Sequence, residues 1–199
     1  MKISVVVTNF NYGKWVRRCI RSLINQNFDN YEIIIVDDYS TDNSRNILLE
    51  YKNHPKIKLI FNPINMGVGA SSTIGAKSSL GKYTIRVDAD DYVHKDFLNC
   101  LYLWASFNNS QAVACDYQEV DFDENILAKK SQVNEKLACG ILYKTDILEY
   151  LGFWDSKLRI NEDLDMIKRF EKEFTYEYLN IPLYRYFKHN ESLTTKTTR

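Results

Sequence analysis

The chain has 199 residues, 45% of them apolar, enough for one sizeable core within the rough 100–200-residue range of a single domain. Its 26 basic side chains balance 26 acidic ones, so no overall field favours nucleic acid or another polyanion, and any anion site has to arise from local geometry. The longest aliphatic run, Ile33 to Val36, falls far short of the roughly 18 residues that cross a bilayer, and "MKISVVV" lacks the apolar core of a secretion signal. Those features predict a cytoplasmic protein with no transmembrane segment, at most peripheral to a membrane.

In chain order, "ISVVVT" is a β-branched run that predicts a strand ending at Thr8. Trp15, Val16, Cys19, Ile20, Leu23 and Ile24 then recur at helical period, with Lys14, Arg17, Arg18 and Arg21 on the other side. "YEIIIV" predicts a second strand ending at Asp37, and "STDNSRNILLEYK" a helix opened by Ser40 or Thr41 as N-cap. "IKLIF" gives a third strand, Gly69 to Ser79 a third short helix, and "YTIRV" a fourth strand ending at Asp88. Phe97, Leu98, Leu101, Trp104 and Ala105 mark a further helix. Strands apolar on both faces that alternate with helices imply an α/β fold, a mostly parallel sheet flanked by helices on both faces.

The second half is less regular. "AVACDYQEVDFDE" reads as a strand leading into a polar stretch, Asp121 to Lys136, that forms a surface loop or short hairpin. "CGILYKTDILEYLGFWD" reads as strand, short helix and turn. "NEDLDMIKRFEKEF" reads as a helix with Asn161 as N-cap and Leu164, Ile167 and Phe170 facing inward. "TYEYLNIPLYRYF" supplies one or two edge strands, because Pro182 suits a central one poorly. The tail "TTKTTR" reads as loose. Cys19, Cys100, Cys115 and Cys139 show neither CxxC pairing nor metal-site spacing and read as buried free thiols.

In an open parallel sheet, ligands sit outside the carboxyl ends of the strands. The first strand here ends in Thr8-Asn9, the second in Asp37-Asp38, the third in a loop holding Asn62 and Asn65, and the fourth in Asp88-Ala89-Asp90-Asp91. Gathered carboxylates repel one another unless a cation neutralises them, and oxygen-rich clusters favour Mg²⁺ or Mn²⁺ with phosphates completing the shell. Taken in isolation, the three aspartates would only end a strand and cap the helix beginning near Lys95. The convergence of four polar ends outweighs that reading. Asp37 sits where a ribose-binding acid sits in dinucleotide folds, but "TNFNYGKW" has no GxGxxG turn, which argues against a dehydrogenase or a nucleotidyltransferase.

With these residues in hand, the chain resembles the family 2 glycosyltransferases, inverting enzymes of the GT-A fold that use a nucleotide-diphospho-sugar and a divalent metal. The resemblance rests on "SVVVTNFNYGKWVRRCIRSLINQNFDNYEIIIVDDYSTDNS", "NMGVGASSTIGAKSSLGKYTIRVDADD", "GILYKTDILEYLGFWD", "NEDLDMIKR" and "YFKHNESLT", in the family's order. It implies one domain over 1–199, with a nucleotide-sugar-binding half at 1–91 and an acceptor-binding half at 92–199. It implies that Thr8, Phe10 and Asn65 line the nucleotide-sugar site, that Asp37 accepts a hydrogen bond from the base, and that Asp38 supports that loop. Asp88 would face the ribose, Asp90 would ligate Mn²⁺ or Mg²⁺ on the diphosphate, and Asp91 would organise the loop. His189 would close over the diphosphate or join the metal shell.

"NEDLDMIKR" resembles the family's Glu-Asp motif, which makes Asp163 the general base beside Glu162, while Gly140 borders the acceptor. Both acids fall in the first turn of a helix, where the macrodipole favours the ionised form, and they point about 100° apart. The resemblance implies a UDP-sugar donor and a glycan or lipid-linked acceptor. Where the family carries Arg-Asn in its "NxGxxxARNxG" segment, this chain has Ser72-Thr73, which removes a cation. Phe187 stands where a basic residue is common, and Tyr39 replaces a frequent Gly in "DDYS". The competing reading is a non-catalytic relative that binds nucleotide-sugar for a partner transferase.

Overall fold

The computed structural model describes residues 1–137, 139–159 and 161–190. The expectation for the tail, residues 194–199, lies outside the described residues. Strands and helices alternate through the first half as β1 (Ile3–Asn9), α1 (Val16–Ile24), β2 (Tyr31–Asp37), α2 (Ser44–Leu49), β3 (Ile57–Phe61), α3 (Val68–Lys77) and β4 (Tyr83–Asp88). The second half holds β5 (Tyr92–Val93), α4 (Phe97–Asn108), β6 (Ala112–Val120), β7 (Ile126–Lys130), β8 (Ile141–Lys144), α5 (Thr145–Tyr150), α6 (Glu162–Glu171) and β9 (Tyr176–Phe187).

One sheet runs through both halves in the order β3-β2-β1-β4-β8-β6-β9-β5, with β7 paired to β6. β3, β2, β1 and β4 are mutually parallel. β8 runs antiparallel to both β4 and β6, and β9 lies parallel to β6. Ile33, Ile34, Ile35 and Val36 are all fully buried, which a strand achieves only with helices on both faces. On one face, Val5, Val7, Ile33, Ile35, Ile85 and Val87 pack with Val16, Cys19, Ile20 and Leu23 of α1 and Leu98 and Leu101 of α4. Ala112, Ala114, Ile141 and Tyr143 pack with Leu148 of α5 and Met166, Ile167 and Phe170 of α6 on the other.

Helix α3 lies almost in contact with the sheet backbone. A Cβ on Gly75 would stand 2.4 Å from Val6 Cγ1 and 3.3 Å from Val36 Cγ2, so only glycine allows this approach. One turn earlier on that helix, Ser72 faces the sheet where β4 carries Arg86. The close approach of α3 therefore sets the walls of the space that Arg86 enters.

Four expectations change. Helix α2 begins at Ser44 behind Asn43, because Ser40 is occupied in the turn, where its hydroxyl accepts from Asn9 Nδ2 (3.1 Å) and Asn11 N (2.9 Å). Leu164 is 46% exposed, and Met166 is buried with Ile167 and Phe170 in its place. Asn161 does precede α6, but with a left-handed φ of 60° and no side-chain cap bond. The segment around Pro182 forms one long strand that lies between β6 and β5 rather than wholly at the edge, but β5 reaches only Tyr184 and Arg185, so Pro182 itself is paired to β6 alone. Between the Cys115–Leu179 and Asp116–Pro182 pairs β9 carries two more residues, and this irregularity accommodates the proline that a regular ladder rejects. The Asp121–Lys136 stretch contains the hairpin strand β7.

Candidate active site

The register of the central strands brings the predicted polar ends to one edge. Thr8 of β1 pairs with Val36 and Asp88, and Asn9 pairs with Asp37, so Asp37 and Asp88 flank the end of β1. Asp37 is fully buried. Its Oδ1 accepts from Asn9 Nδ2 (2.8 Å), its Oδ2 accepts from Ser40 N (3.2 Å), and Arg45 Nε lies 3.6 Å away. Asp38 gathers the loop after β3: Oδ1 accepts from Asn62 Nδ2 and Met66 N, both at 2.8 Å, and Oδ2 accepts from Gly67 N at 2.7 Å. Asn65 sits in that loop, half-buried, with Arg159 Nη1 3.4 Å from its Oδ1. Thr8 is nearly buried at the strand end, and Phe10 is 41% exposed on the loop beyond it. Tyr39, in place of the expected glycine, adopts a left-handed φ of 65°.

The strand end of β4 forms a cluster of carboxylates. Asp88, Asp90 and Asp91 each offer an oxygen, and these atoms lie within 4.8 Å of one another. Asp91 is spent on structure: its Oδ1 accepts from Phe187 N (2.8 Å) and its Oδ2 from Tyr184 Oη (2.7 Å), which ties this loop to β9. Burial, then the charges of Asp90 and Asp88, push Asp91 well above the usual carboxylate range. Burial also raises Asp88, with Arg86 opposing and Asp90 reinforcing. Asp90 Oδ2 lies 2.9 Å from His189 Nε2, so the two predicted metal residues meet. Trp15 and Phe187 flank the His189 ring at centroid distances of 4.2 and 4.9 Å. Arg18 stacks over Phe187, bringing a cation to the place where the sequence lacks one.

These groups fit a hard divalent ion. Three carboxylates share a small volume, and burial first, then the charges of their neighbours, raises the proton affinity of Asp88 and Asp91, a cost that a cation among them would relieve. Asp90 and His189 present the groups that would hold the ion, with Asp88 beside them.

The Glu-Asp pair lies on the face of the sheet covered by α3 and α6, and there it meets a residue that motif reading passed over. Arg86, in the middle of β4, is 4% exposed. Its Nη1 donates to Asp163 Oδ1 (2.7 Å) and Glu162 Oε1 (3.0 Å), and its Nη2 donates to Asp163 Oδ2 (2.6 Å) and to Cys139 Sγ (3.1 Å). Its Nε stands 3.2 Å from Asp88 Oδ1, and Nη1 is 3.4 Å from Ser72 Oγ. Trp154 Nε1 donates to Asp163 Oδ1 from another side at 2.9 Å. The two acids of α6, expected to diverge, converge because one guanidinium spans both. Burial raises Glu162, but the charge and hydrogen bonds of Arg86 outweigh it and hold Glu162 below its ordinary value. Burial pushes Asp163 up to about 8; Arg86 opposes that rise, and Glu162 and Asp88 reinforce it. Desolvation thus overrides the helix dipole that the sequence favoured.

Cys139, read as a buried free thiol and found as one, lies inside this cluster. Burial keeps its thiol protonated, and the S–H donates to Asp88 Oδ2 at 2.9 Å. Gly140 is buried, with φ +77°; its N–H donates to Arg86 O at 3.0 Å, and a Cβ there would meet Tyr184 Cδ2 at 2.8 Å. Its place is in the wall behind Arg86. A charged residue between Ile85 and Val87 was the available signal for Arg86, since a buried cation demands partners.

The sequence profile described as Glycosyl transferase family 2 matches residues 4–173. The glycosyltransferase GlyA of Streptococcus pneumoniae is 30% identical over 93% of this chain, which spans 30% of that protein. A chondroitin synthase of Escherichia coli is 26% identical over 98% of the chain and again 30% of its own length. Among solved structures, S. aureus TarS in complex with UDP-GlcNAc superposes with a TM-score of 0.82 at 23% identity, covering 96% of this chain and 60% of the TarS chain. The mannosyltransferase PcManGT of Pyrobaculum calidifontis, in complex with GDP-Man and Mn²⁺, gives 0.73 at 14% identity, covering 99% of this chain and 59% of that one. The fold is therefore of the GT-A type.

Proposed function

The chain belongs to glycosyl transferase family 2, and we propose that it moves a sugar from a nucleotide-diphospho-sugar to an acceptor hydroxyl with inversion at the anomeric carbon, in polysaccharide or other glycan synthesis. The observation that carries this reading is that a donor-side carboxylate, Asp88, and the α6 carboxylate, Asp163, meet at one guanidinium, 3.2 and 2.6 Å away. A site for transfer needs its leaving-group machinery and its base within one small volume, and this arrangement supplies it.

Thr8, Phe10, Asn65 and Asp88 border the nucleotide-sugar; Asp37, expected to meet the base directly, is fully buried and instead holds Asn9 and Ser40 behind that wall, and Asp38 holds the loop that carries Asn65. A UDP-sugar is the proposed donor, in keeping with the UDP-GlcNAc bound by TarS. Mn²⁺ or Mg²⁺ at Asp90 and His189 would offset the charge that collects on the departing diphosphate. Asp163 takes the acceptor proton as its oxygen attacks from the face opposite the leaving group, and no enzyme nucleophile is required. The acceptor, a glycan or lipid-linked sugar, lies on the α6 side, in the half formed by 92–199. Among the described residues no helix is long and apolar enough to cross a membrane.

Turnover of a panel of nucleotide-sugars with Mn²⁺, read as nucleoside diphosphate release with and without sugar acceptors, tests the reading. Calorimetry with UDP tests the metal site: Asp90→Ala should remove the Mn²⁺-dependent part of the affinity. Binding that is indifferent to Mn²⁺ in the unaltered chain would overturn the metal assignment. Metal-dependent binding without turnover of any donor would instead establish a non-catalytic relative.

A further inference from the structure

Arg86 stands apart from every other buried charge of the site because its partners come from opposite sides of the reaction. Strand β4 fixes its backbone, since Arg86 pairs with Val6 across the ladder and its carbonyl accepts from Gly140 N. The glycine-lined approach of α3 leaves room for one long planar side chain between Ser72 and α6. Into that room the guanidinium projects a two-pronged donor onto both oxygens of Asp163, which fixes the plane of the carboxylate as well as its position. Trp154 locks one oxygen from a second direction. Lysine would supply a point charge but not the plane. Three carboxylates, Asp88, Glu162 and Asp163, surround this one cation, so its removal leaves them facing each other in a nearly dry space.

We propose that Arg86 is the positioning residue of the transfer reaction, its fork setting the orientation of the Asp163 carboxylate and its Nε linking that carboxylate to Asp88 on the donor side. This rests on the transferase reading above. It touches neither substrate nor leaving group and acts through the residues it holds. Removing it should therefore lower kcat far more than it changes KM for the donor, since on the donor side it touches Asp88 alone, whose Oδ2 keeps the Cys139 thiol, and leaves Thr8 and Asn65 untouched.

The test is chemical rescue. In Arg86→Ala the vacated space matches a guanidinium ion, whose planar donors reproduce the missing fork. We expect kcat to fall about 10²-fold, the loss that a misplacement of roughly 1 Å causes, with donor KM changed by less than about threefold. Millimolar guanidinium chloride should restore about tenfold of that loss in a saturable way, while NaCl at equal ionic strength should not. Guanidinium should also raise the melting temperature of Arg86→Ala and not that of the unaltered chain. Should Arg86→Ala fail to fold, Arg86→Lys replaces it, and a loss in kcat of about tenfold or more at unchanged donor KM is expected because the plane is lost while the charge stays. A folded Arg86→Ala or Arg86→Lys with near-normal kcat overturns the proposal, and so does a guanidinium effect no larger than that of NaCl. If the unaltered chain turns over no donor, the transferase reading fails and the positioning role with it. The guanidinium-specific melting shift then still reports whether the space is a guanidinium site.

Discussion

Asp163 places the sharpest demand on the proposed chemistry, because a base must be ionised and this one is pushed up to about 8 by burial. The sign follows directly. Below that pH the ionised fraction, and with it kcat, should fall about tenfold for each pH unit, whereas a carboxylate base at its ordinary value would leave kcat flat from pH 6 to 9. Asp163→Asn keeps the shape and removes the base, so it should cost about 10²–10⁴-fold in kcat, or about 2.7–5.4 kcal/mol of barrier, with donor binding nearly intact. The same displacement acts on stability. Asp163 keeps its proton in the folded chain at a pH where the unfolded chain has shed it, so its stabilising contribution is complete below about 4 and is lost as pH rises through about 8. The melting temperature of the unaltered chain should therefore drop more steeply between pH 6 and 9 than that of Asp163→Asn. Steady-state kinetics across that range with saturating donor and Mn²⁺, together with thermal melts in the same buffers, measure both. A flat kcat profile combined with near-normal turnover in Asp163→Asn would refute the base assignment and pass it to Glu162 or Asp165. Parallel melting profiles for the two chains would refute the burial argument on its own.

Two substitutions test the packing that sets up the site. Tyr39→Gly should raise stability by up to about 1 kcal/mol, because a left-handed backbone costs a residue with a Cβ about 1–2 kcal/mol and the glycine returns part of that as chain entropy; a lower urea midpoint would contradict it. Gly75→Ala should lower stability by about 1–3 kcal/mol despite the better helix propensity of alanine, since the new Cβ stands 2.4 Å from Val6 Cγ1. Adding Val6→Ala should recover part of that loss in a double-mutant comparison, and strict additivity of the two losses would mean that the contact is not the cause.

Much of the scaffold was legible because its signals are local. β-branched runs such as Ile33–Val36 declare a strand buried on both faces, and helical periodicity in Trp15–Ile24 declares its partner. The polar strand ends were legible for the same reason, since a parallel sheet sends them to one edge whatever its finer packing. What escaped depended on pairings distant in sequence. Pro182 read as the mark of an edge strand, and it does have β6 alone beside it; what escaped is that the same strand gains an outer neighbour two residues later, at Tyr184 and Arg185, which depends on β5 and not on β9 itself. Leu164 read as buried from helix period, yet α6 turns Glu162 and Asp163 to Arg86 and Met166, Ile167 and Phe170 to the apolar core, which leaves Leu164 outside.

Arg86 itself shows why a strand can hide a functional cation. Between Ile85 and Val87 it occupies the alternate face, and alternation alone assigns an isolated charge there to solvent. In this sheet that face is covered by α3 and α6, so the side chain has no route to water. A buried guanidinium must then collect carboxylates, and those available within reach come from the end of its own strand and from the Glu-Asp pair. The motifs were readable one at a time, but the cation that joins them was visible only in the requirement that buried charge be balanced. That requirement also accounts for Cys139, whose protonated thiol donates to Asp88 while accepting from Arg86, and so fills the remaining gap between a carboxylate and a guanidinium without adding charge.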